Sequence, residues 1–276
     1  MTPGQYGLNK LCEVEDFRKP EIESAIHEME PECVVIFDEY PRRHEHRKSW
    51  EYAQLLRGAR DLGVLRPDAM VLGVAAGHER PLFWLTNHVR MVFATDIYGT
   101  GEFSGREATS SMLVNPDEFA SQIPFNRRRL VVQYMNALDL RYEDESFDMV
   151  FSLSSIEHFG GQASAVDALK QQARVCKKGG IVALTTEVIV NEAPTPGEPN
   201  LHLFTPAQLL ELLAAVPELQ PVEPVSFELS NETKRSVLNL PQVIVDLGRQ
   251  HYEYPHIVLE LEGCWFTSIS VFLRKV

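Results

Sequence analysis

Two glycines and one carboxylate give the chain its first chemical signal. Gly73 and Gly77 punctuate the stretch from Asp68 to Arg80, and Asp96 stands 19 residues past Gly77. A glycine turn lets a ligand approach the backbone, because a side chain there would hold it away. An acid about 20 residues beyond such a turn is placed to accept hydrogen bonds from ribose hydroxyls. The pair points to an adenosine-type ligand. The same residues also suit a plain turn and strand cap of an α/β domain. The positioning elements are short. Met70 to Val74 is an apolar run long enough for a buried strand. His78 to Val89 reads as a helix with Leu82, Phe83, Leu85 and Val89 on one face. Met91 to Asp96 reads as the next parallel strand. Strand, glycine turn and helix together open a Rossmann-like unit.

The remaining pattern extends that unit. Leu130–Met135, Phe147–Leu153 and Ile181–Thr186 read as the third, fourth and fifth strands. Gln162–Cys176 is an amphipathic helix, stopped by Lys177-Lys178-Gly179-Gly180. A proline-bearing loop spans Asn191–Asn200. Thr205 and Pro206 form a helix start. Pro224–Leu229 is expected as a sixth strand. Ile257–Leu261 and Phe266–Leu273 are strand-like, the second alternating as suits an antiparallel member. The fold class expected is α/β, a Rossmann-like three-layer sandwich. Its seven-stranded sheet is mostly parallel, with an antiparallel last strand. Residues 1–66 are expected as an N-terminal helical segment or lid, with a helix from Pro20 that Pro31 ends. Cys33–Phe37 is a short strand or apolar plug, and a helix runs from Ser49 to Leu62. Residues 67–276 form the main domain, with insertions near 97–129 and 231–256.

The chain has 276 residues, 26 Lys and Arg against 39 Asp and Glu, and a net charge of −13. That balance argues against nucleic acid as a partner, because phosphate binding needs basic clusters. Arg42–Lys48 and Arg127–Arg129 are the only basic concentrations, and both read as solvated faces. The four cysteines, Cys12, Cys33, Cys176 and Cys264, form no CxxC. The start is polar, without the apolar core of a secretory signal. No run approaches the roughly 20 apolar residues that span a bilayer. A reducing, cytoplasmic setting is expected. His44 and His46 lack a convergent third ligand, so no metal is expected. The pattern does not fix the oligomeric state, and a homodimer is compatible with it.

The order and spacing of seven pieces resemble a class I S-adenosylmethionine-dependent methyltransferase of the bacterial small-molecule type (methyltransferase type 11-like). The pieces are the Met70–His78 turn, Asp96, Asn136-Ala137-Leu138, Phe147–Ser152, Ile156-Glu157-His158-Phe159, Lys178–Ile181 and His202–Pro206. The resemblance covers about residues 68–215. It implies S-adenosylmethionine as cofactor. It assigns to cofactor binding Gly73, Ala75, Gly77, Glu79, Asp96, Ile97, Asn136, Ala137, Leu138, Ser152 and Ser154. The first motif departs from the family. Gly73 stands where an acid is usual, Ala75 at the first glycine and Glu79 at the last. Loss of the acid removes an indirect contact to the methionine amine, which Glu79 or a water would replace. Asn136 stands where an aspartate that meets the adenine amino group is common.

Methyl transfer from a sulfonium is an in-line displacement for which the protein mostly supplies positioning. A hydroxyl acceptor also needs a proton removed. His158, just past the fourth strand, is the expected general base or substrate orienter, with Glu157 raising its basicity. The plainer alternative is that His158 packs under the cofactor and caps the next helix. Tyr40, His44, Tyr98 and His202 are further acceptor-side positions. The acceptor implied is a small polar molecule, with a sugar or natural-product hydroxyl the leading choice. Two rivals remain open. One is a methyltransferase-fold binding protein with weak or no turnover. The other is an NAD-dependent oxidoreductase, although G-x-G-x-x-G and Tyr-x-x-x-Lys are missing.

Overall fold

The computed structural model describes residues 7–197, 200–249 and 252–276. Parts of three expected segments lie outside the described residues: the N-terminal stretch before residue 7, the proline-bearing loop at 198–199, and the 231–256 insertion at 250–251.

In chain order, β1 (Lys10–Leu11) precedes α1 (Pro20–Met29), α2 (Pro31–Ile36) and α3 (Arg47–Asp61). Next come β2 (Met70–Val74), α4 (Arg80–Leu85), β3 (Met91–Asp96), α5 (Ser111–Val114), β4 (Leu130–Tyr134) and β5 (Phe147–Leu153). The C-terminal half holds α6 (Gln162–Val175), β6 (Cys176–Ile189), α7 (Pro206–Ala214) and β7 (Leu219–Pro221). It ends with β8 (Val237–Asn239), α8 (Leu240–Gly248), β9 (Val258–Leu261) and β10 (Cys264–Lys275).

Among the described residues all strands join one sheet, in the order β4-β3-β2-β5-β6-β10-β9-β8, with β1 and β7 also on β10. β4, β3, β2, β5 and β6 are parallel, and β10 lies antiparallel on β6 from Phe266 to Arg274. The expected parallel sheet with an antiparallel last strand is therefore present, in a sheet of ten strands rather than seven. Alternate residues of each strand feed opposite faces. Val71, Met149 and Phe272 pack with α1, α3 and α4, while Leu72, Val150 and Leu184 pack with α6 and α7. These are the three layers. The N-terminal helices share one continuous core with the sheet, since Phe17, Ile22 and Trp50 belong to the same cluster as Val71.

Three local expectations change. Pro31 does not simply end a helix. It is the first residue of α2, where its missing N–H costs nothing. Cys33–Ile36 is accordingly helical, with Phe37 extended at its end and Val35 and Ile36 facing out. The strand expected at Pro224–Leu229 lies earlier, at β7, while the later segment makes only an isolated bridge from Ser226 to Lys10.

Chain direction makes the site. From β2 the chain moves outward to β3 and β4, then crosses to β5 and β6 on the other side. The crevice beyond the carboxyl ends of β2 and β5 is thus a topological switch point, where open α/β sheets take ligands. α3 starts over that crevice. His46 caps it, its Nδ1 accepting from the Lys48 N–H at 3.1 Å. Close approach of α3 to β10 requires Gly58, because a Cβ there would lie 2.0 Å from the Phe272 ring.

Candidate functional site

The turn after β2 is built around backbone that favours glycine. Gly77 has φ +45°, and Ala75 keeps a left-handed φ of +48° although it is not glycine. The carboxylate of Asp96, at the tip of β3, ties this turn to its own strand. Oδ2 accepts from the Gly77 N–H at 2.8 Å and Oδ1 from the Ile97 N–H at 2.7 Å. Burial raises the Asp96 carboxyl above its ordinary value, the Gly77 and Ile97 N–H groups oppose that, and Glu107 adds to it. A carboxylate has about four lone-pair sites. Two are spent on the backbone, so the carboxylate keeps capacity for further donors.

The positions expected on the adenine side lie beyond β4. Asn136 Oδ1 accepts from the Leu138 N–H at 2.9 Å, which shapes the turn, and Ala137 is buried beneath it. Leu138 is 37% exposed, an apolar surface open to a planar base. Asn136 keeps one lone pair on the same oxygen for a further donor.

Gly73 departs from its expected role. A Cβ there would come within 2.9 Å of Ala76, Leu82 and Phe151, so the position is packed inside the sheet layer and faces no open space. The same crowding explains why no acid stands there. Ser152 is likewise interior, 1% exposed, with an unpaired hydroxyl. Ser154, with φ +49°, donates to Glu51 Oε1 at 2.8 Å.

Glu79 lies at the start of α4 and reaches the crevice. Its Oε1 pairs with Lys48 Nζ at 2.7 Å. Lys48 also donates to Glu51 Oε2 at 3.1 Å and to the Leu153 carbonyl at 3.2 Å, at the end of β5. Burial pushes the Glu79 carboxyl up to about 7, Lys48 opposing, with Glu51 and Asp96 adding to the rise. Lys48 carries no sequence signal for this role. It stands in a polar helix start, and only the seating of α3 over β2 and β5 brings it in.

His158 follows β5 in a single helical turn, Ile156–His158. Its Nδ1 lies 2.6 Å from the Asn200 carbonyl, and the ring packs edge-on to Phe103 at 4.9 Å. A carbonyl only accepts, so Nδ1 carries the proton and Nε2 holds the lone pair. Glu157 does not meet this imidazole as expected. Its carboxylate is 1% exposed and accepts from Thr186 Oγ1 at 2.9 Å. Burial, then the nearby Glu187 carboxylate, hold it well above the usual carboxylate range. Successive residues of a tight turn point apart, which spacing along the chain does not reveal.

Of the other positions, the Tyr98 hydroxyl donates to the Gly77 carbonyl at 2.6 Å, and Tyr40 is buried with its hydroxyl on Glu30. His44 stacks on Phe37, and His202 is half-buried with Nε2 unpaired. Residues 98–108 form a loop over the glycine turn. The Glu107 carbonyl lies 2.6 Å from where a Gly77 Cβ would be. Among the described residues no three His, Cys, Asp or Glu side chains converge as metal ligands, and no helix is long and apolar enough to cross a membrane.

Comparison with known proteins agrees with this geometry. Residues 72–184 match the methyltransferase domain family. The 27-O-demethylrifamycin SV methyltransferase of Amycolatopsis mediterranei is 29% identical over 133 residues, covering 48% of this chain and 42% of that protein. The chain thus spans under half the length of that curated relative. Among solved structures, the 4+2 cyclase SpnF has a TM-score of 0.57 at 17% identity, covering 92% of this chain and 96% of its own. A geranyl diphosphate C-methyltransferase from Streptomyces coelicolor, solved with Mg2+, geranyl diphosphate and S-adenosyl-L-homocysteine, has a TM-score of 0.51 at 12% identity, covering 94% and 98%. These two likenesses speak to fold alone. The family match over β2 to β6 favours the methyltransferase reading over the oxidoreductase one. Residues 72–184 thus match a methyltransferase domain, and the chain is similar over part of its length to an O-methyltransferase, which makes a class I, S-adenosylmethionine-dependent methyltransferase the family this chain most resembles.

Proposed function

We propose that this chain methylates a hydroxyl of a small polar acceptor, a sugar or a natural product, at the crevice above β2 and β5. S-adenosylmethionine supplies an electrophilic methyl when bound. Asp96 holds the ribose, Leu138 and Asn136 frame the base, and the turn from Ala75 to Gly77 supports the remainder. The observation that carries the hydroxyl reading is His158. Its Nδ1–H is committed to the Asn200 carbonyl at 2.6 Å, which leaves Nε2 as an oriented acceptor for a hydroxyl proton. Likeness to a rifamycin O-methyltransferase supports the same acceptor class. The segment 1–66, the loop within 97–129 and the 231–256 insertion then act as walls and lid over the acceptor. The unpaired state of Cys12, Cys33, Cys176 and Cys264 supports a reducing, cytoplasmic setting.

The test is turnover against a panel of hydroxylated sugars and polyketides, read as S-adenosylhomocysteine release, for wild type and His158→Ala. The variant is expected to lose roughly 100- to 10,000-fold in kcat, with unchanged affinity for S-adenosylhomocysteine. Unchanged kcat removes His158 from the chemistry. A second reading is a cofactor-binding chain without methyl transfer. It is favoured by the Glu107 carbonyl seated over Gly77 and by the cyclase that shares this fold. Cofactor binding with no methylated product anywhere in the panel selects it.

A further inference from the structure

A cavity of about 200 Å³ lies where residues 252–256 fold back between α8 and the start of α3. Backbone pairing builds it. His46 and His256 form an isolated bridge, the Arg47 N–H donates to the His256 carbonyl at 3.0 Å, and the His256 N–H donates to the Glu45 carbonyl at 2.7 Å. The two imidazoles stack at 4.3 Å, within 4° of parallel. Burial, then the positive Arg47, pulls His256 down to about 4, and burial, then His256 itself, holds His46 well below its ordinary value. Both rings are therefore neutral near neutral pH. Tyr252 and Tyr254 add further aromatic wall. Tyr254 is braced edge-on by His44 at 5.2 Å, and His44 stacks on Phe37 at 4.2 Å.

The charges on this wall are all of one sign. Asp246 of α8 and Glu253 line the cavity, and among the described residues no lysine or arginine does. Asp246 is 9% exposed, and the donor it meets is the neutral Gln242 amide at 2.9 Å. Arg47 is the nearest cation on α3, and it is spent on Glu187. His256 Nδ1 is enclosed without a partner. Burying polar groups unpaired is costly, and aromatic rings beside carboxylates attract a cation. The crevice is close by. Lys48, two residues past His46, donates to the Leu153 carbonyl at the end of β5, so less than one turn of α3 separates the two.

Resting on the methyl-transfer reading, we propose that this cavity takes a protonated amine carried by the acceptor, its ammonium set among Asp246, Glu253 and the rings of Tyr252 and Tyr254. An amino sugar or an aminated natural product has that chemistry. The two carboxylates would repel an anionic acceptor, and an apolar one would leave Asp246 desolvated without a cation.

The test compares cyclohexylamine, a cation on an apolar ring, with its neutral counterpart cyclohexanol by calorimetry. Wild type is expected to prefer the amine. Asp246→Asn, which can still accept from Gln242, should cut that preference roughly 10-fold or more, as for a charged hydrogen bond. Glu253→Gln should cut it roughly 2- to 5-fold, since that side chain is exposed. Should Asp246→Asn fail to fold, the exposed Glu253→Gln decides. In turnover, aminated sugars should show a lower KM than their hydroxyl counterparts, and Asp246→Asn should remove that difference. Equal wild-type affinity for the two ring compounds, or a preference left unchanged by both carboxamides, overturns the proposal. Wild type that prefers the amine yet methylates nothing in the panel upholds the amine site and overturns the methyl-transfer reading alone.

Discussion

Asp96→Asn probes the site at its tightest point. The native carboxylate accepts from two backbone N–H groups, Gly77 at 2.8 Å and Ile97 at 2.7 Å. Asparagine offers one carbonyl oxygen, so its NH2 must face one of those donors. Leaving a largely buried N–H unpaired costs about 1–3 kcal/mol. Removing a charge that burial disfavours returns part of that, so the net loss should lie near the lower end. The thermal midpoint should fall by about 2–4 °C for each kcal/mol in a chain of this size. Ribose hydroxyls lose a charged acceptor as well, worth about 1.5–3 kcal/mol, or roughly 10- to 150-fold in affinity. Calorimetry with S-adenosylhomocysteine reads the second effect, and thermal unfolding the first. Adenine alone is the control, since it meets the Asn136–Leu138 side and no ribose contact. Unchanged S-adenosylhomocysteine affinity would refute the ribose role of Asp96. An equal loss for adenine would show that the variant merely displaces the turn.

Two further outcomes follow from packing and from titration. Gly58→Ala drives a methyl to 2.0 Å from the Phe272 ring, so the thermal midpoint should drop, by about 1–3 kcal/mol of overpacking; an unchanged midpoint would mean that α3 does not press on β10 as described. Glu157 is held protonated in the folded chain well above its ordinary 4.5. Between that value and its raised one the unfolded chain gives up the proton and the folded chain keeps it, so this group's contribution to stability falls as pH rises. Glu157→Gln should therefore stabilise the chain at about pH 8 and do little at about pH 4.5; equal differences at the two pH values would contradict the burial argument.

The parallel core was legible because its strands are short apolar runs ended by turn residues. Asp96 was legible with it: the offset from Gly77 is what one helix and the next strand require, and one hydrogen bond joins the two. Residues whose roles depend on tertiary seating were not legible. Lys48 and Glu79 pair only because α3 lies over the carboxyl ends of β2 and β5. Gly73 carries the spacing of a ligand-facing position, yet three side chains close over it. Cys33–Phe37 is rich in β-branched residues and suggested a strand. Pro31 supplies a helix start instead, and no sheet edge pairs with that segment. The segment at Pro224–Leu229 reads as strand by composition, but β10 is already paired by β7 and β1 along that edge.

The central claim is that the crevice over β2 and β5 binds an adenosyl sulfonium. Calorimetry of the wild-type chain with S-adenosylmethionine, S-adenosylhomocysteine and NAD tests it most directly. The account predicts saturable binding of the first two at one site per chain and none of NAD. Silence from both adenosyl ligands, or binding of NAD in their place, would contradict it.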